Sequence, residues 1–579
     1  MMIVRRIAGL TPGLRSLLHY DRRWLRPDLL AGLSVAAVGL PVGIAYADLV
    51  GVPTIVGIYS AIFPPLAYAV FGSSRQLILA PDGATCLLFA ASLAAHSHGD
   101  PARLIALVPL LTIMTGVVCI AAGLGRLGFL ASFLSRPILI GYMNGIALMM
   151  LVGQLGKLLG YSAGTSEFTG QIRAFAAHLG SATSPTAILG LATTIGLLLL
   201  RRFVPRLPGP LIAVAAGIVV AFLFDLRALG VSVTGALPAG LPYPQLPSAS
   251  LPDIVGLLED AAMIMLVSFV SSMLTAKSFA ERNNYTVDAN QELIALGAGN
   301  LLSGLLGGFA VAGANSRTAV SDAAGGKSSL VGAAAAVAML LALLLGRNVI
   351  AMIPGPTLAA VVLVAAIGLL NIPDLVHLAR ISWRETGLCV ATTAGVLMFG
   401  VVPSVGAAIA LSLLWLLVVA SRANVAVLGD VGGMHGFNCL DDYPEAMSVP
   451  GLLIVRFEAN LLFFNVDHFI TRLRALVADA AIPVRWVVID ASPINRTDAT
   501  ALERLESLSR DLAAQGVALA VANVRRSIGR AFVADWSANW LRETGILEFP
   551  TPGLAQEAFL QQQSLDSRAL EAVPAQAEA

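Results

Sequence analysis

Residues 307–327 read GGFAVAGANSRTAVSDAAGGK: glycines at both ends, a brief extended run, then a short helical run that opens near Arg317 and carries Asp322. An ordinary membrane span is about 20 predominantly apolar residues. Irregular backbone at membrane depth is tolerated only where protein or a watery cavity satisfies it. A second stretch of this kind, DGATCLLFAASLAAH at 82–96, follows Pro81, is short for a span and opens with an acid and a glycine. Residue 82 lies roughly 50 residues after the first apolar run begins at Asp28, and residue 316 roughly 55 after another begins near Asp260. Two interrupted segments in step in two halves of a chain mark a transporter site built on inverted repeats. No sequence identity between the halves proves duplication.

Outward from these stretches the composition is that of an integral membrane protein. Of 579 residues, 57% are hydrophobic and 12% charged, which excludes an ordinary soluble chain. From about Asp28 to Arg422 apolar segments follow one another, broken by Gly, Pro and short polar turns. Roughly 400 residues, at about 20 per span and about 10 per connection, allow about thirteen spans. The arm 1–27 carries Arg5, Arg6, Arg15, Arg22, Arg23 and Arg26 and no cleavage-site pattern, so it reads as cytoplasmic by the positive-inside rule. Docking of the arm on anionic lipid or a partner is the alternative. Lys+Arg 36 against Asp+Glu 35 gives no global field, so nucleic acid is not an expected partner. Cys86, Cys119, Cys389 and Cys439 stand at no metal-ligand or disulfide spacing and read as packing residues.

The transmembrane region is expected over 28–423, a linker over 424–450, a small α/β domain over 451–560 and a disordered tail over 561–579. LLIVRF at 452–457, VRWVVID at 484–490 and VALAVA at 517–522 read as strands, with LLFF at 461–464 a further short apolar run. Asn465 is placed to cap a helix with Val466, Phe469, Ile470, Leu473 and Val477 on one face. Asp498 is placed to cap another, carrying Ala501, Leu502, Leu505, Leu508 and Leu512 to a stop at Gly516. The tail is low in β-branched and aromatic residues.

Ionisable groups are expensive in a membrane, so Asp82, Arg317 and Asp322 are the first functional candidates. At the start of a half-helix, Arg317 would add charge-assisted hydrogen bonds to an anion that the helix dipole already favours. The competing reading pairs it with Asp82 or Asp322. Asp82 reads either as a helix cap or as a carboxylate whose protonation switches the site's charge. Tyr46, near the centre of the first span, lines a cavity or packs. Asp48, Glu259, Asp260, Lys277 and Lys157 fall near span ends, and Glu281 to Glu292 reads as a solvated loop. There is no nucleophile elbow, P-loop, HExxH or CxxC, which disfavours catalysis and ATP-driven transport.

LPVGIAYADLVGVPTIVGIYS at 40–60, SRQLILAPDGA at 74–84 and AKSFAERNNYTVDANQELIALGAGNLLSGLLGGFAVAGANSRTAV at 276–320 resemble, in order and spacing, signatures of the sulfate permease family of anion transporters, relatives of the animal solute carriers that include prestin. VAVLGDV, PGLLIVRFEANLLFFN and VVIDASPINRTDATAL resemble the linker and STAS domain joined to them. The resemblance implies a polytopic α-helical membrane protein of about fourteen segments in a seven-plus-seven inverted repeat, with core and gate subdomains and a cytosolic α/β STAS-like domain. It also implies cytoplasmic termini, an elevator-like movement and a homodimer. Carried over position by position, Asp82, Gly83 and Ala84 line one end of the anion site, and Ser316, Arg317 and Thr318 the other.

Three departures stand out. Val42 replaces a glutamine that helps line the site in many members, and Ser271 replaces the eighth-helix glutamate of many proton-coupled members. Asp82 stands where relatives are often neutral, which suggests that it takes over coupling to protons or sodium. Ala499 replaces the serine phosphorylated in bacterial anti-sigma antagonists, leaving Thr500, beside Asp498, as a substitute regulatory site. The expected activity is secondary active transport of sulfate, with bicarbonate or dicarboxylates next, in a bacterial inner membrane, without a cofactor and with a STAS-binding regulator as a further partner. A passive anion channel, a membrane-tethered signalling module and a uracil or xanthine carrier are the rivals.

Overall fold

The computed structural model describes residues 11–571 except 133–135, 162–167, 179–183, 205–206, 236, 238–240, 245, 248–249, 433, 435, 525–540 and 542. It divides into two compact units, Met1–Leu411 and Ser412–Ala579.

In the first unit, α1 (Pro12–Leu18), α2 (Leu25–Val50) and α3 (Thr54–Phe71) lead to strand β1 (Leu79–Ala80) and α4 (Gly83–Ser97). Then come α5 (Pro101–Leu124), α6 (Arg136–Leu159), α7 (Phe168–His178), α8 (Ser184–Phe203) and α9 (Gly209–Leu223). The second half begins with α10 (Leu251–Arg282), α11 (Ala289–Leu305), strand β2 (Ala312–Gly313) and α12 (Asn315–Ala323). It continues with α13 (Leu330–Ile350), α14 (Gly355–Leu369), α15 (Ile372–Ile381), α16 (Trp383–Phe399) and α17 (Val401–Ser421).

Among the described residues, eight helical stretches are long and apolar enough to cross a membrane, and three more, Gly83–Ser97, Gly209–Leu223 and Gly406–Ser421, are apolar but shorter. With α11, α12 and α16 they make fourteen segments, against about thirteen from span arithmetic. α4 is the third of these and α12 the tenth, seven places apart, as an inverted repeat of seven requires.

Small residues let these helices approach closely, the usual means of packing where lipid offers no hydrophobic drive. α5 lies against α11 with Gly116 and Gly297 at the crossing. A Cβ on Gly297 would stand 2.7 Å from the Gly116 carbonyl oxygen. Two helix groups result: α2–α5 pack with α10–α13, and α6, α8 and α9 pack with α14 and α16. α2 also meets α9 and α14, and α4 meets α6, so the groups touch at the first span and at the helix of the first interrupted segment.

The second unit contains β3 (Val425–Asp430), β4 (Phe437–Cys439), β5 (Leu452–Phe457), α18 (Val466–Ala478), β6 (Trp486–Asp490), α19 (Ala499–Ala514), β7 (Ala518–Ala522), β8 (Leu547–Phe549) and α20 (Pro552–Glu571). The sheet order is β4-β3-β5-β6-β7-β8, with β5 through β8 parallel and β3 antiparallel to both its neighbours. Alternation along the strands gives two cores. Val455, Val487 and Ile489 face Phe469, Leu473 and Leu505 of α18 and α19, while Ile454, Trp486 and Val488 face Ala555 and Phe559 of α20.

Several expectations are corrected here. The stretch 424–450 is not a linker: β3 and β4 belong to the sheet, their short runs hidden between turn residues. In the apolar run LLFF at 461–464 only Leu461 bridges, to Thr497. Asn465 precedes α18 but does not cap it; its Oδ1 accepts from Leu462 N at 2.8 Å and its Nδ2 donates to the Asn460 carbonyl at 2.9 Å. Asp498 does cap α19, accepting from Ala501 N at 2.9 Å. The tail expected to be disordered from 561 is helical through Glu571, because scarcity of β-branched residues also suits a helix, and Phe559 seats this one on Trp486 with ring centroids 5.7 Å apart. Residues 572–579 lie outside the described residues.

Asp490, fully buried at the end of β6, accepts from Arg456 Nε at 2.7 Å, Asn523 Nδ2 at 2.8 Å and Ser492 Oγ at 2.8 Å. Burial pushes its carboxyl up, but the hydrogen bonds from Asn523, Arg456 and Ser492 outweigh that and hold it below the ordinary value of 3.8. A carboxyl depressed on folding contributes stability above its unfolded pKa and loses it as pH falls through the folded one. Urea midpoints for this unit in the full chain are therefore expected to be level from pH 7 to about 5 and to drop below about 4. Asp490→Asn lowers the plateau by about 2 kcal/mol, less than for a fully buried pair because Arg456 is partly exposed, and flattens the acid limb.

Candidate functional site

β1 and β2 pair antiparallel, Leu79 opposite Gly313 and Ala80 opposite Ala312, and this brings the starts of α4 and α12 together. Two residues per strand leave most of the flanking backbone without ladder partners, and at membrane depth those groups need others. Side chains supply them. Ser60 Oγ accepts from Phe309 N at 2.7 Å, Asn300 Oδ1 from Val311 N at 2.8 Å and Ser272 Oγ from Gly313 N at 2.7 Å. Thr318 Oγ1 accepts from Ile78 N at 3.1 Å, and Ala314 N donates to the Ile78 carbonyl at 2.9 Å.

Arg317, in the first turn of α12, is 2% exposed. Its Nη2 donates to the carbonyl of Pro81, just before α4, and its Nε has no partner. Among the described residues it forms no ion pair, so the pairing reading is not met. Asp322 instead accepts from Asn283 Nδ2 at 3.0 Å, at the far end of α12. Asp82 occupies the cap position of α4, but its side chain makes no capping hydrogen bond and its buried Oδ2 has no partner. Gly83 and Ala84 are buried behind it. The Tyr46 hydroxyl lies 3.1 Å from where a Gly83 Cβ would stand, so Tyr46 packs directly against the start of α4. Ser316 is exposed, and the Thr318 hydroxyl is committed to the strand crossing, donating to the Ala314 carbonyl at 2.8 Å. The structure therefore gathers Asp82, Gly83, Ala84, Arg317 and Tyr46 closely. Ser316 lies on an open face and Thr318 behind.

Sequence reasoning missed several residues. Thr85 Oγ1 and the Tyr142 hydroxyl are buried near Asp82 without partners. Glu292, read as part of a solvated loop, is 2% exposed in the first turn of α11. It accepts from Tyr68 OH at 2.8 Å, Ser73 N at 2.9 Å, Ser73 Oγ at 2.8 Å and Ser74 N at 3.1 Å. Asp28, fully buried, accepts from Lys327 N and Ser328 Oγ, both at 2.6 Å, and from Tyr20 OH at 2.9 Å. Each carboxylate belongs to one half of the unit and holds a loop of the other: Glu292 the loop entering β1, Asp28 the loop leaving α12. Asp260, expected at a span end, is 9% exposed, with His96 Nδ1 at 3.4 Å. Lys157 and Asp48 pair at 2.7 Å where both are exposed.

Two helix N-termini meeting head to head, with a buried guanidinium between them, form an anion-binding arrangement. Residues 25–392 match the model of the sulfate permease family, and residues 443–536 match the STAS domain. The chain belongs to the sulfate permease family. A probable sulfate transporter of Mycobacterium tuberculosis is 41% identical over 95% of this chain and 98% of its own length. The murine Slc26a9 anion transporter in its inward-facing state shares the fold, with TM-score 0.87 and 22% identity over 97% of this chain and 95% of that one. The transmembrane domain of a cyanobacterial bicarbonate transporter, BicA, aligns with TM-score 0.60 and 25% identity over 67% of this chain and 98% of that one. This sulfate permease family member is a multi-pass membrane transporter and not an enzyme. At the positions where it departs from many members, Val42 is buried in α2, and Ser271 is half-buried on α10 beside Ser272, which holds β2.

Glu292→Leu strands the Tyr68 hydroxyl and the Ser73 and Ser74 amides in a dry interior. A loss on the order of 3 kcal/mol is expected, read as a lower unfolding temperature of the detergent-solubilised protein, with Glu292→Gln falling between the two.

Proposed function

We propose that the chain is a secondary active transporter of inorganic oxyanions or small carboxylates, sulfate first and bicarbonate or dicarboxylates next. The observation that carries this reading is Arg317: a buried guanidinium that forms no ion pair among the described residues, at the meeting point of two half-helix N-termini. Asp82, Gly83 and Ala84 form one end of the anion site, and Ser316 and Arg317 the other, with Thr318 holding the strand crossing behind them and Tyr46 behind Gly83. Asp82, uncapped and with a free buried oxygen, is the coupling group and takes a proton or a sodium ion in place of the carboxylate absent at Ser271. The group α2–α5 with α10–α13 is the elevator core, and α6, α8, α9, α14 and α16 form the gate. The mycobacterial relative supports sulfate as substrate and a bacterial plasma membrane as location, and the arginine-rich arm supports a cytoplasmic N-terminus, with the C-terminus on the same side. The STAS domain receives a regulator or helps assemble a homodimer; Thr500, exposed in the first turn of α19 beside the capping Asp498, is where added phosphate would be favourable.

The test is uptake of labelled sulfate, bicarbonate and succinate into proteoliposomes with and without an inward proton or sodium gradient. Wild type takes up one of them in a gradient-stimulated way. Arg317→Ala, which removes at least one charge-assisted hydrogen bond, raises KM by about 10- to 100-fold or abolishes uptake. Asp82→Asn retains uptake but loses the gradient dependence. Unchanged uptake by Arg317→Ala would overturn the site, and unchanged gradient dependence in Asp82→Asn would overturn the coupling role.

A further inference from the structure

The start of α4 is covered from outside its own helix group. Met150 of α6 places its sulfur and terminal methyl 3.2 Å from where a Gly83 Cβ would stand. Two turns earlier on α6, Tyr142 is 0% exposed and one of the largest fully buried side chains, yet its hydroxyl has no hydrogen-bond partner among the described residues. A phenyl ring packs well in such a place, whereas an unpaired buried hydroxyl costs about 1–3 kcal/mol. Phenylalanine would serve packing better, so packing does not account for the tyrosine.

The neighbours of that hydroxyl are unusual in the same way. Its helix, α6, packs on α4, the helix that Asp82 opens. Asp82 Oδ2, Thr85 Oγ1 and Arg317 Nε are likewise buried without partners. Buried donors and acceptors left unpaired at the starts of α4 and α12 and on the helix packed against α4 are groups that a bound anion, accepting from the donors among them, would complete.

We infer that Tyr142 is a binding residue for the transported anion, donating its hydroxyl hydrogen to an anion oxygen. This rests on the transporter reading and adds a wall to its site. Arg317 and the half-helix amides belong to one helix group, and Tyr142 is contributed by the other. The contact therefore exists only when the two groups stand as they do here, which makes Tyr142 a determinant of affinity in this arrangement and not of ion coupling.

Tyr142→Phe keeps the ring and removes only the donor. In proteoliposomes, with whichever of sulfate, bicarbonate and succinate the wild type takes up, KM is expected to rise about tenfold, the fold-change of one lost hydrogen bond to a charged group. Gradient dependence is retained, and the unfolding temperature stays within a few degrees. Tyr142→His, which keeps an N–H on that ring, recovers part of the affinity. A KM within twofold of wild type for Tyr142→Phe overturns the inference while leaving the transporter reading intact. Absence of uptake by wild type overturns both. Infrared difference spectra of wild-type protein with ring-labelled tyrosine, in a Tyr46→Phe background, need no change at 142. A tyrosine C–O band that shifts on adding the same anion is expected, and an unchanged spectrum counts against the contact.

Discussion

The rest of the membrane unit depends on four residues of β-sheet. Leu79 and Ala80 opposite Gly313 and Ala312 are all the ladder there is, and it lies where water cannot complete a hydrogen bond. Every backbone group that leaves this ladder must be met by a side chain, and Ser60, Asn300, Ser272 and Thr318 do so from helices α3, α11, α10 and α12. Those helices cannot shift independently without unpairing backbone in an apolar interior. Glu292 and Asp28 extend the same logic outward: each is buried in one half and holds a loop of the other, so the two repeats are tied reciprocally at the entry to β1 and the exit from α12.

What the crossing does not satisfy is as informative as what it does. Glu292 and Asp28 accept several hydrogen bonds each and offer nothing to a ligand. Asp82, Thr85 and Arg317 each keep a buried polar atom free. Both sets sit in similar surroundings, so burial alone does not separate structural from functional polar groups; completeness of pairing does. By that criterion Thr318, whose hydroxyl both accepts from Ile78 N and donates to Ala314, stands with the scaffold although its neighbour Arg317 does not.

Much of this was legible in the sequence because it violates the ordinary pattern of a span. Glycines at 307, 308, 325 and 326, an arginine at 317 and an acid after Pro81 stand out against twenty-residue apolar runs, and their spacing from two span starts placed them in step. Tyr142 obeys the pattern: RPILIGYMNGIALMM is what any buried helix looks like, and only the three-dimensional neighbourhood of its hydroxyl distinguishes it. Glu292 was misread because polar residues at a helix start look the same whether they face solvent or a neighbouring loop. The six-stranded sheet was half visible: β5, β6 and β7 read as apolar runs, whereas β4 and β8 are three-residue edge strands and β3, interior and six residues long, ends in Gly429 and Asp430 and gains its identity from pairing.

A site shared between two helix groups links binding to movement without a separate device. In the proposed elevator movement the half-helix amides and Arg317 would travel together, because the ladder and its side-chain partners lock them, and would carry a positive potential with them. The α6 wall does not share those bonds; it meets α4 through Met150. An anion in place satisfies groups on both sides and lowers the cost of bringing the two faces together. An empty site leaves a buried guanidinium edge and a phenol hydroxyl both unpaired. With the anion bound as proposed, the arrangement seen here would be disfavoured when unloaded, by roughly the 1–3 kcal/mol that each orphaned buried group costs, and that difference would allow one ligand to bias the relative position of the two helix groups.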